Sequence, residues 1–109
     1  MSHFYVLDEI AAERRRQTES EGWSAQHDDD HTSGELAIAG ACYALSATWL
    51  HHIGLRELVQ KYWPWDMKWW KPKNPRRDLI RAAALIVAEI ERLDRANTTP
   101  APVSGEGRK

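Results

Sequence analysis

The chain has little of what would point to an oxidising compartment or to a membrane. Its 109 residues include one cysteine, Cys42, so no intrachain disulfide can form, and we expect this side chain to pack as a small apolar group. No uninterrupted apolar run is long enough to span a membrane, and the first residues lack the layout of a signal peptide. We therefore expect a cytoplasmic protein without membrane contact.

Positive and negative side chains are also nearly equal in number. Fifteen Lys and Arg residues against 16 Asp and Glu residues give a formal net charge of -1. This balance argues against a general electrostatic attraction to nucleic acid or to anionic lipid, so any charge-dependent function must be local. The length suits one domain with a modest hydrophobic core.

Apolar periodicity predicts an all-α protein. We predict helices over about Tyr5 to Glu21, Ser33 to Leu50, Leu55 to Tyr62, and Pro75 to Ala96. Asn74 is a good N-cap for the last helix, because its side-chain oxygen can accept a backbone N–H of the first turn. Proline at the next position is also typical of the first turn of a helix. The predicted fold is a bundle of three long helices and a short fourth over residues 1–96, with a Trp-rich connector. Residues 97–109 are predicted to form a disordered tail.

Seams of residues spaced by three and four predict the buried faces of the second and last helices. These seams are Leu36, Gly40, Tyr43, Ala47 and Leu50 in the second helix, and Leu79, Ala83, Ile86, Ile90 and Leu93 in the last.

The corresponding stripe of the first helix changes character along its length. Val6 and Ile10 begin it, and Glu13 and Gln17 continue it at the same spacing. Either the polar half points into a cavity, or the helix leaves the core there and Glu13 pairs with Arg14 or Arg16.

Carboxylates and imidazoles are concentrated between positions 21 and 35. They are Glu21, His27, Asp28, Asp29, Asp30, His31 and Glu35. Because Mg²⁺ binds carboxylate oxygens, the segment is a candidate metal-binding loop; a solvated acidic loop is the alternative. His31 and Glu35 share a helical face if the helix begins early, whereas Thr32 to Glu35 also match a capping box.

Arg76 and Arg77 fall in the first turn of the last helix, where the helix dipole disfavours cations. Phosphate binds to helix N–H groups and to arginine, so these two residues and Lys71 are candidate phosphate ligands; simple exposure is the alternative. Asp78 is placed to reach a cation held by the acidic loop.

Five of the six tryptophans lie between Trp49 and Trp70. Those of the connector either cover the bundle as core or dimer interface, or supply a ring that stacks on a nucleobase, for which Trp69 and Trp70 are the candidates.

The motifs taken together resemble a family of small helical proteins encoded by phages and prophages of proteobacteria. The resemblance runs to Ala96 and implies that the protein acts in the host cell cytoplasm. It is carried by Glu13 to Gln17, Glu21-Gly22-Trp23, His27-Asp28-Asp29 with His31, Gly34-Glu35-Leu36-Ala37, Trp63-Pro64-Trp65, Trp69-Trp70-Lys71-Pro72, Arg76-Arg77-Asp78-Leu79 and Ala88 to Asp94.

A second resemblance is to the MazG-like all-α nucleotide pyrophosphohydrolases. Those enzymes hold Mg²⁺ with carboxylates from two or more helices and hydrolyse nucleoside triphosphates to monophosphate and pyrophosphate. Their signature pairs a Glu-x-x-Glu helix with a later Glu-x-x-Asp helix. In this chain Ile38 takes the place of the second Glu after Glu35, and Pro75 stands three residues before Asp78, so neither half is intact.

The leading hypothesis from the sequence is a Mg²⁺-dependent nucleotide pyrophosphohydrolase. Its predicted residues are Glu13, Asp28, Glu35 and Asp78 as metal ligands, His31 and Glu35 as catalytic groups, Lys71, Arg76 and Arg77 as phosphate ligands, and Trp69 and Trp70 as stacking rings.

Two other functions compete with this hypothesis. One is a non-catalytic phage accessory protein that binds a host protein or sequesters a nucleotide. The other is nucleic-acid binding through the basic residues Lys61, Lys68, Lys71, Lys73, Arg76 and Arg77. In every case we expect a homo-oligomer, a dimer or a tetramer, because so thin a bundle leaves apolar surface exposed.

Overall fold

A computed structural model describes residues 4–19 and 28–98. Within those ranges the chain forms four α-helices and no strand: α1 (Phe4–Glu19), α2 (Glu35–Ser46), α3 (Leu55–Tyr62) and α4 (Pro75–Thr98). Short 3₁₀ turns at Trp49–His52 and Met67–Trp69 join α2 to α3 and α3 to α4. The predicted all-α fold of three long helices and one short helix is confirmed. The tail was predicted to begin at Asn97, but α4 continues to Thr98. Residues 99–109 of the predicted tail, and the motif around Trp23, lie outside the described residues.

None of the helices in the described ranges has both the length and the apolar character needed to cross a membrane.

Local turn chemistry sets where α2 begins and ends. Gly34, at the N-cap, has a φ of 85°, in the left-handed region that glycine enters without strain. The predicted cap by Thr32 is wrong: Glu35 accepts a hydrogen bond from the backbone N–H of Ser33 at 2.8 Å. The helix ends at Ser46 rather than Leu50, because Thr48 caps the 3₁₀ turn that follows.

Asn74 caps the start of α4, as the sequence predicts. The side-chain oxygen of Asn74 accepts a hydrogen bond from the backbone N–H of Arg77 at 2.9 Å. One residue later, the buried carboxylate of Asp78 accepts bonds from the backbone N–H of Lys73 at 2.9 Å and from the hydroxyl of Ser46 at 3.1 Å. Asp78 therefore joins the connector, the first turn of α4 and the end of α2.

The hydrophobic core lies where α2 packs against α4, the most extensive helix pairing; α1 packs on α4, and α3 on α2. Gly40 allows this approach, because a Cβ there would lie 3.1 Å from the carbonyl oxygen of Ala82 and 3.2 Å from Cγ1 of Ile86. Cys42 is buried and free, as expected. The core comprises Leu36, Ala39, Cys42, Tyr43, Leu55, Val59, Trp63, Ala82, Leu85 and Ala88.

The predicted buried seam is confirmed for α2 and wrong for α4. In α2 the residues Leu36, Gly40 and Tyr43 are buried; Ala47 and Leu50, which follow the end of α2, are partly buried. In α4 the four large side chains of the predicted seam are 45 to 52 % exposed: Leu79, Ile86, Ile90 and Leu93. The core-facing side of α4 is instead formed by Ile80, Arg81, Ala84, Leu85, Ala88 and Arg92. Because α4 carries apolar residues on two faces, periodicity alone does not tell which of them meets the core.

Candidate functional site

Glu13 of α1 lies at the centre of a group of cationic side chains. Its exposed fraction is 2 %. Arg16 donates to both carboxylate oxygens, at 2.9 and 2.8 Å, and Arg77 of α4 donates to Oε1. The amide of Gln17 donates to Oε2 at 3.2 Å. The polar half of the α1 stripe is therefore buried, and Glu13 also forms the ion pair with Arg16 that the sequence allowed.

The electrostatic balance at Glu13 favours the carboxylate ion. Burial raises its pKa, but the hydrogen bonds and charges of Arg16 and Arg77 outweigh burial, so that the pKa lies below its ordinary value of 4.5. Glu13 is thus ionised at neutral pH and holds both arginines in place.

A small cavity of about 20 Å³ lies beside Glu13, and two buried polar atoms of its lining residues have no hydrogen-bond partner within residues 4–19 and 28–98. Gln17 is 2 % exposed and Arg81 is 7 % exposed. Among the described residues, neither Oε1 of Gln17 nor Nε of Arg81 has a hydrogen-bond partner. Buried polar atoms rarely stay unpaired, and this volume holds about one water-sized oxygen. The cavity is lined by Glu13, Arg16, Gln17, Tyr43, Trp69, Lys71, Arg81 and Leu85.

Tyr43 of α2 fixes the connector above this cavity. Its hydroxyl accepts a hydrogen bond from the backbone N–H of Lys71 at 3.1 Å and donates to the carbonyl of Trp69 at 3.4 Å. The guanidinium of Arg81 lies 5.5 Å from the centre of the Tyr43 ring and donates to the carbonyl of Lys71. These contacts position Lys71 and Trp69 at the cavity.

A wider depression of about 200 Å³ adjoins the cavity and shares Glu13 and Arg16 with it. Its other lining residues are Glu9, Ala12 and Arg77. Arg76 neutralises Glu9 through a two-pronged ion pair. The group formed by Glu13, Arg16, Lys71, Arg77 and Arg81, which we call the Glu13 cluster, therefore contains four cations and one carboxylate.

The predicted Mg²⁺ ligands are held apart by separate partners. Glu13 is bound by arginines, and Asp78 by Ser46 and Lys73, as described above. Buried Asp28 accepts a hydrogen bond from Arg14 at 2.9 Å. Over residues 4–19 and 28–98, no group of three or more His, Cys, Asp or Glu side chains is placed to hold a metal ion. The described residues do not fit a shared Mg²⁺ site built from Glu13, Asp28, Glu35 and Asp78.

The two predicted catalytic residues lie near each other but outside the Glu13 cluster. Nδ1 of His31 is 4.0 Å from the Glu35 carboxylate, and its ring packs edge-on against Trp65 with ring centres 5.3 Å apart. Neither residue lines the cavity or the depression beside Glu13.

The predicted phosphate and stacking residues are only partly brought together. Lys71 and Arg77 belong to the Glu13 cluster, whereas Arg76 is paired with Glu9. Trp69 is 39 % exposed and lines the small cavity. Trp70 packs on Tyr43, with ring centres 4.7 Å apart, and lines a different cavity of about 440 Å³.

Three residues that line or position the site were not predicted from the sequence to be site residues. Arg16 and Arg81 follow Glu13 and Arg77 by three and four positions, a spacing that places each pair on one helical face and was available in the sequence. The role of Tyr43 depends on hydrogen bonds to residues 26 and 28 positions away, for which the sequence contains no signal.

Comparison with known proteins leaves both resemblances as predictions. No protein-family model matches the chain, and neither does any curated protein or solved structure with which it was compared.

Proposed function

We propose that the chain binds a phosphate-bearing small molecule of the nucleotide class at the Glu13 cluster. The observation that carries this proposal is the excess of cations in the Glu13 cluster. Arg16 and Arg77 bind the buried Glu13 carboxylate, and Lys71 and Arg81 line the small cavity beside it. The Nε–H group of Arg81 has no partner in the described part of the chain. An anion balances that charge, and guanidinium groups bind phosphate oxygens with charge-assisted hydrogen bonds.

The phosphate group would lie in the depression lined by Arg16 and Arg77, with one oxygen in the small cavity. There the oxygen accepts a hydrogen bond from Nε of Arg81. Because Glu13 already holds Arg16 and Arg77, less side-chain freedom is lost on binding than for free surface arginines.

Trp69 is the proposed stacking residue. The ammonium group of Lys71 lies 5.4 Å from the centre of its ring, so the proposed phosphate and base ligands lie side by side, two positions apart in the chain. A base on the exposed part of the ring would contribute about 1–3 kcal/mol. Trp70 is less suited, because it packs against both Tyr43 and Trp63.

This proposal favours nucleotide sequestration over hydrolysis, because the described carboxylates do not form a magnesium site. Pyrophosphate release in the presence of Mg²⁺, a host-protein partner and a cytoplasmic location stay predictions of the sequence. Hydrolysis is tested by incubating a panel of nucleoside triphosphates with Mg²⁺. Pyrophosphate from the parent but not from Glu35→Gln would establish hydrolysis, and its absence from both would support binding alone.

Isothermal titration calorimetry tests binding. The titrants are a nucleoside triphosphate, inorganic pyrophosphate and the unphosphorylated nucleoside. We expect the two phosphate compounds to bind more tightly than the nucleoside, with affinity falling as salt is added, because the contacts are ionic.

A matched pair of lysine variants locates the site. Lys71→Gln should weaken binding about tenfold, equivalent to about 1.4 kcal/mol, whereas Lys61→Gln on exposed α3 should leave the affinity unchanged. Equal effects of the two variants, or nucleoside binding as tight as triphosphate binding, would overturn the proposal.

A further inference from the structure

Two cavities border the Trp-rich connector, and alternate residues of the connector line them. Trp69 and Lys71 line the small cavity beside Glu13, whereas Trp70 and Pro72 line a larger cavity of about 440 Å³, which we call the connector cavity. Its volume lies in the range of sites that bind small molecules. The residues that line it are Ser46, Leu55, Arg56, Met67, Trp70 and Pro72.

The walls of the connector cavity are mainly apolar. Leu55, Met67, Trp70 and Pro72 form them. The Trp70 ring is held from behind, because it packs against Tyr43 with ring centres 4.7 Å apart and against Trp63 with ring centres 5.1 Å apart. Met67 is 40 % exposed, and its thioether side chain adapts its shape to an aromatic neighbour. A fixed indole ring beside an adaptable side chain suits a flat apolar ligand.

Arg56 gives the connector cavity its charge. Of the described residues that line the cavity, it is the only charged one. Its side chain is exposed, and within residues 4–19 and 28–98 it forms no hydrogen bond or ion pair. Arg76, by contrast, is occupied by Glu9. The Arg56 guanidinium is therefore available to an anion, and its two parallel N–H groups match the two oxygens of a carboxylate.

Ser46 adds a hydrogen-bond acceptor to the connector cavity. Its hydroxyl donates to Oδ2 of buried Asp78 at 3.1 Å, so its proton is already used. The lone pairs of the Ser46 oxygen remain to accept a hydrogen bond from a ligand. Oδ1 of Asp78 accepts from the backbone N–H of Lys73 at 2.9 Å, so both carboxylate oxygens have a donor from the chain.

We propose that the connector cavity binds a small aromatic carboxylate that also carries an N–H group. The carboxylate pairs with Arg56, the ring packs on Trp70 and Met67, and the N–H group donates to Ser46. A single guanidinium balances one carboxylate charge, whereas a phosphate ester with two charges is better matched by the several cations of the Glu13 cluster.

This site is independent of the proposed phosphate site. The connector cavity shares no lining residue with the small cavity or with the depression beside Glu13. Loss of aromatic carboxylate binding and loss of phosphate binding are therefore separate outcomes.

A titration of the ¹⁵N-labelled full chain with indole-3-acetate, followed by chemical shifts, tests the proposal. Indole-3-ethanol is the matched probe, because it keeps the ring and its N–H group but lacks the charge. We expect the alcohol to bind about tenfold more weakly than the acid. Alcohol binding as tight as that of the acid, or a parent that does not bind the acid, would overturn the proposal.

A matched pair of arginine variants tests the anion contact. Arg56→Gln should weaken indole-3-acetate binding about tenfold, whereas Arg15→Gln, at an exposed position of α1, should leave it unchanged. Both positions are exposed, so neither variant removes a core contact. Equal effects of the two variants would contradict the role of Arg56.

The apolar contact and the location have their own tests. Met67→Ala should weaken indole-3-acetate binding about threefold, whereas Ile53→Ala, at a position that is 62 % exposed and does not line the cavity, should have no effect. Excess inorganic pyrophosphate should not displace indole-3-acetate. Displacement would place the aromatic carboxylate at the Glu13 cluster and overturn the proposal.

Discussion

Glu13 of α1 accepts a hydrogen bond from Arg77 of α4, a residue 64 positions further along the chain. The carboxylate is almost fully buried, and Arg16 binds both of its oxygens. The Glu13–Arg77 ion pair links α1 to α4. Together with Arg16, it places two guanidinium groups at the edge of the candidate site. Stability and the proposed ligand binding therefore depend on the same residue.

Replacing Glu13 by glutamine should destabilise the fold. The substitution removes the charge-assisted hydrogen bonds from Arg16 and Arg77, whose side chains are about one third exposed, and we expect a loss of about 2 kcal/mol in the free energy of unfolding, measured by urea denaturation. Glu9→Gln is the matched control, because Glu9 pairs with Arg76 at the surface and its replacement should barely move the midpoint. Equal midpoints for the two variants would show that the Glu13 pair contributes little.

The lowered pKa of Glu13 predicts how the stability of the fold depends on pH. The pKa of Glu13 is lowered in the folded chain from an ordinary value of 4.5, because Arg16 and Arg77 outweigh the effect of burial. Its stabilising contribution is therefore complete above pH 4.5 and is lost as the pH falls through the lowered pKa of the folded state. Urea midpoints of the parent and Glu13→Gln should converge in that acidic window. A difference that persists unchanged to the lowest pH would contradict the ion-pair explanation.

Asp78 should behave as a structural carboxylate. Asp78→Asn weakens the bonds from Ser46 and from the backbone of Lys73, at a cost of about 1–2 kcal/mol, and exposed Asp8→Asn should cost far less. Melting temperatures with and without Mg²⁺ test the alternative role of Asp78 as a metal ligand. A magnesium-induced rise that the parent shows and Asp78→Asn lacks would support the predicted metal ligand instead.

Gly40 is required for the approach of α2 to α4. Gly40→Val should cost about 2–3 kcal/mol, because the added atoms meet the backbone of Ala82, which cannot move aside as a side chain can. Ala11→Val, at an exposed position of α1, should cost about 0.5 kcal/mol from helix propensity alone. Comparable losses measured by urea denaturation for the two variants would mean that the helices are not tightly packed at Gly40.

Local rules predicted the parts of the fold that depend on neighbouring residues. Asn74 and Pro75 marked the start of α4. The stripe through Glu13 and Gln17 allowed either a buried polar half of α1 or a helix that leaves the core with Glu13 in an ion pair, and the sequence did not choose between them. The buried face of α4 was predicted wrongly, because Leu85 and Ala88 form a second apolar face beside the Ile86 and Ile90 seam, and only tertiary packing selects between them.

The candidate site was harder to predict than the fold, since tertiary packing determines which donors reach a given carboxylate. The sequence grouped Glu13, Asp28, Glu35 and Asp78 as ligands of one cation because all four are acidic. In the fold each is satisfied by a different donor, and for Asp28 and Glu13 these donors are arginines. Spacing along the chain does not show which of many arginines reaches which carboxylate.

The most direct test of the central claim is a titration of ¹⁵N-labelled protein with inorganic pyrophosphate, observed at the arginine Nε–H groups. An Arg81→Lys variant identifies the Arg81 signal, and exposed Arg15 on α1 is the internal control. We predict that the Arg81 signal shifts and saturates, because its Nε–H group, which no described residue accepts from, gains a phosphate oxygen as acceptor, while the Arg15 signal stays in place. An unmoved Arg81 signal, or equal shifts at both arginines, would contradict the account.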